Sequence, residues 1–325
     1  MLSRTLTSIA CGAVLIAAGT AGVCAQDYPT RPVKIVVPYV AGGGTDAIAR
    51  ILAKGLEQRL GQPFIVENRG GSGTTLGGAM VARAEPDGYT LLMATSSTLA
   101  VAPGLYKKPL YDAARDFSAI SMIATVPFVL IVHPSLGVDT AKALVDLVKG
   151  RPGEFGYASG GIGSPHHIYA ALFMHMTGTD MRNVPYRGGG PALTDVAAGH
   201  VKIMFADAAQ ALELIRDGRV KALGVTTGRR LETMPDVPTL NEAGVTGYEA
   251  NSWQCVVAPA NLPRPIVAKL NAALIDIMAT PEMRSHFVNI GWQPLSSTPE
   301  QASDYIRAEI ERWTRVISAA GVSTE

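Results

Sequence analysis

The chain has 325 residues, 47% of them hydrophobic and 17% charged, enough apolar side chain for a sizeable packed core and too much for a disordered or collagen-like polymer. Lys and Arg number 28 against 27 Asp and Glu, so no charge excess points to nucleic acid or an anionic membrane surface as partner. The length fits two domains or one large one.

Residues 1–25 read as a secretory signal: one positive charge at Arg4, an apolar run through Ile9 and Val14-Leu15-Ile16, and small residues at Val23-Cys24-Ala25. The run is too short and too rich in Gly and Ala for a membrane span of about 20 residues. Cleavage is expected after Ala25, which leaves 27 basic and 27 acidic residues and removes Cys11 and Cys24. Only Cys255 then remains, so the exported protein must hold together without an internal disulfide. Within Trp253-Gln254-Cys255-Val256, that cysteine reads as a small buried apolar residue.

In chain order, Val33–Val37 is a predicted strand and Asp46–Leu60 an amphipathic helix, with Ile48, Leu52, Leu56 and Leu60 on one face. Phe64–Val66, a short helix near Gly77–Ala84 and the strand Tyr89–Met93 follow. After Asp116 come two apolar runs, Ala119–Ala124 and Phe128–Val132, split by Pro127 with no room for a helix between them. Alternation resumes with a helix at Ala141–Val148, strand Phe155–Ala158, helix Pro165–Met176 and strand Asn183–Val184. A helix from about Pro191, strand Val201–Phe205, a helix from Ala208 and strand Ala222–Val225 come next. Asp236–Tyr248 reads as a connection, Trp253–Val257 as a returning strand, and Arg264–Met278, Pro281–Asn289 and Thr298–Ala319 as helices. This is an α/β pattern. It predicts one lobe from 26–125 with 252–325 and a second, inserted lobe from 126–251, with a ligand cleft between them.

Two strand-to-helix junctions stand out. Tyr39-Val40-Ala41-Gly42-Gly43-Gly44-Thr45-Asp46 follows the first strand, and Ser159-Gly160-Gly161-Ile162-Gly163-Ser164 opens the helix carrying His166 and His167. Glycines let backbone N–H groups approach a ligand, and a helix start offers unpaired donors with partial positive charge. Thr45 and Asp46 also fit ordinary helix capping. Taken together, the junctions predict a cradle for one small anion. Ser96 and Ser97 after the third strand, and Asp207 after Val201–Phe205, sit at strand ends where α/β sheets bind ligands, and Asp207 also fits a cap for the next helix.

Gly42-x-Gly44-x-x-Ala47 also matches a relaxed dinucleotide fingerprint, with Glu67 ending the next strand. An exported protein has little access to NAD, and no cofactor is expected. The sequence contains neither a Gly-x-Ser-x-Gly elbow nor a His-Glu-x-x-His pair. His166 and His167 are adjacent, point to different sides of a helix and make a poor metal pair, so no metal is expected.

The chain resembles the extracytoplasmic solute receptors of tripartite tricarboxylate transporters, the Bug family of periplasmic binding proteins. The resemblance rests on Pro38–Asp46 with Ala49-Arg50, Glu67-Asn68-Arg69, Pro86–Leu92, Tyr157–His167, Val184–Gly188 with Pro191-Ala192, Met234–Thr239 with Glu242-Ala243-Gly244, and Trp253 with Ala258-Pro259. It departs from the family pattern at Ala41, where Pro is frequent, and at Ala171, where Glu is frequent. Membership implies a type II, Venus-flytrap periplasmic fold that closes on a small carboxylated metabolite held by two facing loops. Carried over, those loops are Tyr39, Val40, Gly43, Gly44, Thr45 and Asp46 with Ser96 and Ser97, facing Ser159, Gly161, Gly163, Ser164 and His167 with Asp207. The resemblance further implies a non-enzymatic, monomeric receptor that delivers its acid to the permease subunits of a membrane transporter. A sensor that docks on a membrane kinase and an exported α/β enzyme are the alternatives.

Overall fold

The computed structural model describes residues 28–319 and 321; the expected signal segment lies outside the described residues. The β-branched run Val33–Val37 forms β1, and Gly44–Leu60 forms α1, whose Ile48, Leu52 and Leu56 are buried on one face. β2 (Phe64–Asn68), a 3-10 turn at Ser72–Thr74, α2 (Thr75–Ala82) and β3 (Thr90–Thr95) follow. A π-helical turn, Ser97–Val101, then runs into the short α3 (Ala102–Leu105). No helix was expected there.

β4 (Phe117–Val126) and β5 (Phe128–Val132) are separated only by Pro127, yet they enter different sheets. α4 (Ala141–Lys149), β6 (Gly156–Ser159), α5 (Pro165–Thr177), β7 (Arg182–Pro185) and α6 (Gly189–Ala197) come next. β8 (Ile203–Asp207), α7 (Ala208–Arg216) and β9 (Lys221–Val225) complete the middle of the chain. β10 (Ser252–Pro259), α8 (Arg264–Met278), α9 (Pro281–Ile290), the two-residue β11 (Gln293–Pro294) and α10 (Pro299–Ala319) end it.

The strands make two mixed sheets, ordered β11-β4-β10-β3-β1-β2 and β7-β6-β8-β5-β9, so the protein is a two-lobed α/β molecule. In the first sheet β1 runs parallel to β2 and β3, while β10 returns antiparallel between β3 and β4. In the second, β6 is parallel to β7 and β8, and β5 is antiparallel to β8 and β9.

One apolar cluster lies under α1 and α8 and another under α6 and α7, while a third runs through both lobes. α10 is the bridge: Trp313 stacks on Tyr169 of α5 with ring centroids 5.6 Å apart, and Trp253 of β10 meets Tyr305 edge-on at 5.8 Å. Glu309, buried between them, accepts both indole N–H groups at 3.0 Å. Cys255 is fully buried in β10, and burial pushes its thiol pKa up, which suits a packing residue. Among the described residues, no helix is long and apolar enough to cross a membrane.

Candidate functional site

The strand-to-helix junctions sit at the sheet ends where the lobes meet. On the first lobe, α1 starts behind Gly43, which supplies no side-chain acceptor, so the first-turn N–H groups at Gly44 and Thr45 lack an internal cap. Thr45 Oγ1 accepts from Gln254 Nε2 at 3.0 Å, which leaves the hydroxyl hydrogen free to donate. Neither Thr45 nor Asp46 is the N-cap. Asp46 instead lies in the first turn and reaches back to the Gly42 N–H at 3.0 Å, while accepting from Arg50 Nε (3.1 Å) and Asn68 Nδ2 (2.9 Å). Asn68 also donates to the Tyr39 carbonyl at 3.2 Å, so the whole turn is tied down from within.

Burial works to raise the Asp46 pKa, but the bonds from Arg50, Gly42 and Asn68 outweigh it and hold the carboxyl below the ordinary aspartate value. A lowered folded pKa contributes stability that is present above the unfolded value and lost as pH falls through the folded one. Asp46→Asn should therefore lose stability against wild type at neutral pH, and the gap should narrow below about pH 4. Urea unfolding across that range checks this; a gap independent of pH would refute it.

The other first-lobe residues form a hydroxyl floor. Tyr39 Oη lies 3.1 Å from Thr95 Oγ1, and burial raises its pKa against opposing bonds from Thr95 and Ser97. Ser96 and Ser97 are buried, with Ser96 Oγ 3.0 Å from Ser252 Oγ at the start of β10. Val40 stands apart, 78% exposed on the lip.

On the second lobe, the Ser159–Ser164 turn is largely self-satisfied. Buried Ser159 accepts from the Gly161 N–H at 3.3 Å, and Ser164 caps α5 by accepting from His167 N–H at 3.4 Å. His167 Nδ1 accepts from the Gly163 N–H at 3.2 Å, which places its proton on Nε2; burial lowers its pKa and keeps it neutral. Asp207 ends β8 and caps α7 through the Ala209 (3.0 Å) and Gln210 (3.3 Å) N–H groups. Its second oxygen accepts from Trp292 Nε1 at 3.2 Å. Burial raises its pKa, partly opposed by the bonds from Trp292, Gln210 and Ala209.

The lobes touch through these elements. Gly163, at φ +78°, packs so closely on Leu105 of α3 that a Cβ there would lie 2.8 Å from Leu105 Cδ2. Trp292 lies over Gly44 of α1 and bonds Asp207 of the other lobe. Gly44, Asp207 and Gly163 are thus brought to the interlobe boundary, whereas a Cβ on Gly43 would meet nothing within 4 Å and one on Gly161 only the Tyr186 carbonyl of its own lobe.

Residues 48–322 match the family described as the tripartite tricarboxylate transporter family receptor. The chain belongs to this family. Protein BugT of Bordetella pertussis is 36% identical over 322 residues, spanning 98% of each chain. The R. palustris protein Rpa4515, solved with adipate, superposes with a TM-score of 0.81 at 36% identity, covering 91% of this chain and 99% of that one. The periplasmic binding protein BugD superposes at 0.80 with 34% identity, covering 91% and 100%. The protein is therefore a Bug-type solute-binding receptor of a tripartite transporter, with the fold of a periplasmic binding protein.

Three parts of this receptor's interlobe boundary escaped sequence reasoning. α6 begins at Gly189 rather than Pro191, and its Gly188 cap supplies no side chain, so the second lobe also has an open helix start. It lies against the Ser159–Ser164 turn: a Cβ on Gly160 would be 3.2 Å from Gly189 N, with His166 wedged beside both glycines. Burial takes His166 down to about 4, and its Nδ1 has no partner. Gln254 and Trp292 are the other two. The fingerprint acid Glu67 is paired with Lys34 and Arg69, which leaves no open carboxylate for a ribose. No group of three metal-ligating side chains exists among the described residues.

Proposed function

We propose that this receptor captures a small straight-chain dicarboxylate between its lobes and delivers it to the permease subunits of its transporter. The observation that carries this reading is the open start of α1, where backbone donors of Gly44 and Thr45 and the Thr45 hydroxyl face the lobe boundary without a capping acceptor. The charges beside it, Asp46 and Arg50, are paired with each other, so neutral dipoles must meet the ligand anion. Such bonds to a carboxylate contribute about 1.5–3 kcal/mol each. The adipate held by Rpa4515 supports a dicarboxylate as the class.

The lobes in this reading are 26–125 with 252–325, and 126–251, hinged at Pro127 and Asn251. The ligand-binding residues in this reading are Tyr39, Val40, Gly43, Gly44 and Thr45 with Ser96 and Ser97, facing Ser159, Gly161, Gly163, Ser164 and His167, while Asp46 and Asp207 hold the two rims in place rather than meet the anion. The mature protein begins at Gln26 after export to the periplasm, works as a monomer and turns nothing over.

A thermal-shift screen and calorimetry of residues 26–325 against mono-, di- and tricarboxylates test the proposal. A dicarboxylate that binds only the folded state raises the melting temperature. A set of dicarboxylates that leaves it unmoved, while an amino acid or aromatic acid raises it, would replace the ligand class.

A further inference from the structure

Trp292 holds an unusual position. It directly precedes β11, whose Gln293 pairs with Thr125 of β4, two residues before the crossing at Pro127. Its backbone is therefore fixed to the first lobe's sheet next to the point where the chain passes to the second. From there the indole covers the start of α1, so closely that a Cβ on Gly44 would sit 2.7 Å from Cζ2 and 2.8 Å from Cη2. The same ring sends its N–H across to Asp207 at the end of β8. The preceding residue, Gly291 at φ +64°, presses on the start of α7: a Cβ there would be 2.3 Å from Ala209 Cβ. One dipeptide thus contacts the first turn of a helix in each lobe.

The consequence for a ligand is directional. A carboxylate at the open start of α1 has the indole on one side, and the only donor on that ring is already given to Asp207. The ring therefore has no donor left for a second carboxylate, and it stands where a longer carbon chain would run past Gly44. The ligand must extend the other way, toward the Ser159–Ser164 turn and the open start of α6. We propose that Trp292 is the specificity-determining wall of the cleft: it closes the end next to Pro127 and sets the length of acid the receptor accepts. This inference rests on the dicarboxylate reading above.

Calorimetric Kd values for succinate, adipate and suberate, measured on wild type, Trp292→Ala and Trp292→Phe, test it. In Trp292→Ala the suberate-to-adipate Kd ratio should fall on the order of ten-fold, since each methylene accommodated in an apolar pocket is worth about that much or more. Trp292→Phe, which keeps a ring but loses the N–H and some bulk, should shift the ratio the same way by less, and it serves as the informative variant if the alanine protein fails to fold. An equal loss of affinity for all three acids, or an unchanged ratio, would make Trp292 a structural residue and overturn the proposal. If wild type binds a different class of acid, the dicarboxylate reading falls, and the same ratio between short and long members of that class decides the role of Trp292. Binding of no acid at all would sink both.

Discussion

Glu309→Ala is expected to lower folding stability by about 4 kcal/mol, because each buried donor left without an acceptor costs about 1–3 kcal/mol. Two such donors are at stake: the indole N–H groups of Trp253 and Trp313, both essentially inaccessible to solvent. Arg312 would also lose its 3.1 Å bond to Glu309, but that side chain is a third exposed and adds little. A domain stabilised by roughly 5–15 kcal/mol would lose a large share of its margin. Glu309→Gln keeps one acceptor oxygen and should lose less than half as much. Urea unfolding of the three proteins measures this, and an alanine variant within 0.5 kcal/mol or so of wild type, inside the range of ordinary surface changes, would refute it. Because Trp313 also stacks on Tyr169 of the second lobe, the same substitution should loosen the contact between lobes.

Gly44→Leu should abolish ligand binding while leaving the fold in place. A Cβ at this position would lie 2.7 Å from Trp292 Cζ2 and 2.8 Å from Cη2, so the indole must move, which breaks its bond to Asp207. The leucine side chain then covers the donors of the α1 first turn. Losing two hydrogen bonds to a carboxylate, at about 1.5–3 kcal/mol each, weakens binding on the order of a hundred-fold or more. The backbone of Gly44 is not in the left-handed region, so the substitution brings no backbone strain. Calorimetry with the acid that wild type binds, alongside far-UV circular dichroism, is the check. Retained affinity with a native spectrum would mean that the anion binds elsewhere.

The order of the main elements was legible because apolar spacing changes from one period to the other along the chain. Ile48, Leu52 and Leu56 mark a helix face, and Val33–Val37 marks a buried strand. What escaped has a physical reason in each case. Ser97–Leu105 has seven of its nine residues buried, the polar Ser97 and Thr98 among them, and carries Pro103 and Gly104, so it has no amphipathic period, and its first turn is π-helical. α6 opens with Gly189 and Gly190, residues of poor helix propensity, so the sequence suggested a later start. The Gly-rich turns and Asp207 were visible as site candidates from local pattern alone. How their polar atoms are used was legible only in part: capping of the next helix was open to Asp207 from its place in the sequence, whereas Asp46 pins its own loop through Gly42 and Asn68, partners set by the fold. Trp292 gave no local signal because it lies in a connection whose contacts, Gly44 and Asp207, are distant in sequence.

The unequal seating of the three tryptophans gives the receptor an intrinsic optical gauge. Trp253 and Trp313 are sealed in the shared core with their N–H groups on one carboxylate, away from solvent. Trp292 alone is partly open to solvent and straddles the seam, its N–H against a carboxylate of the opposite lobe. A fluorescence change on adding ligand therefore reports on the seam, where Trp292 meets both the cleft and the opposite lobe, without any attached dye.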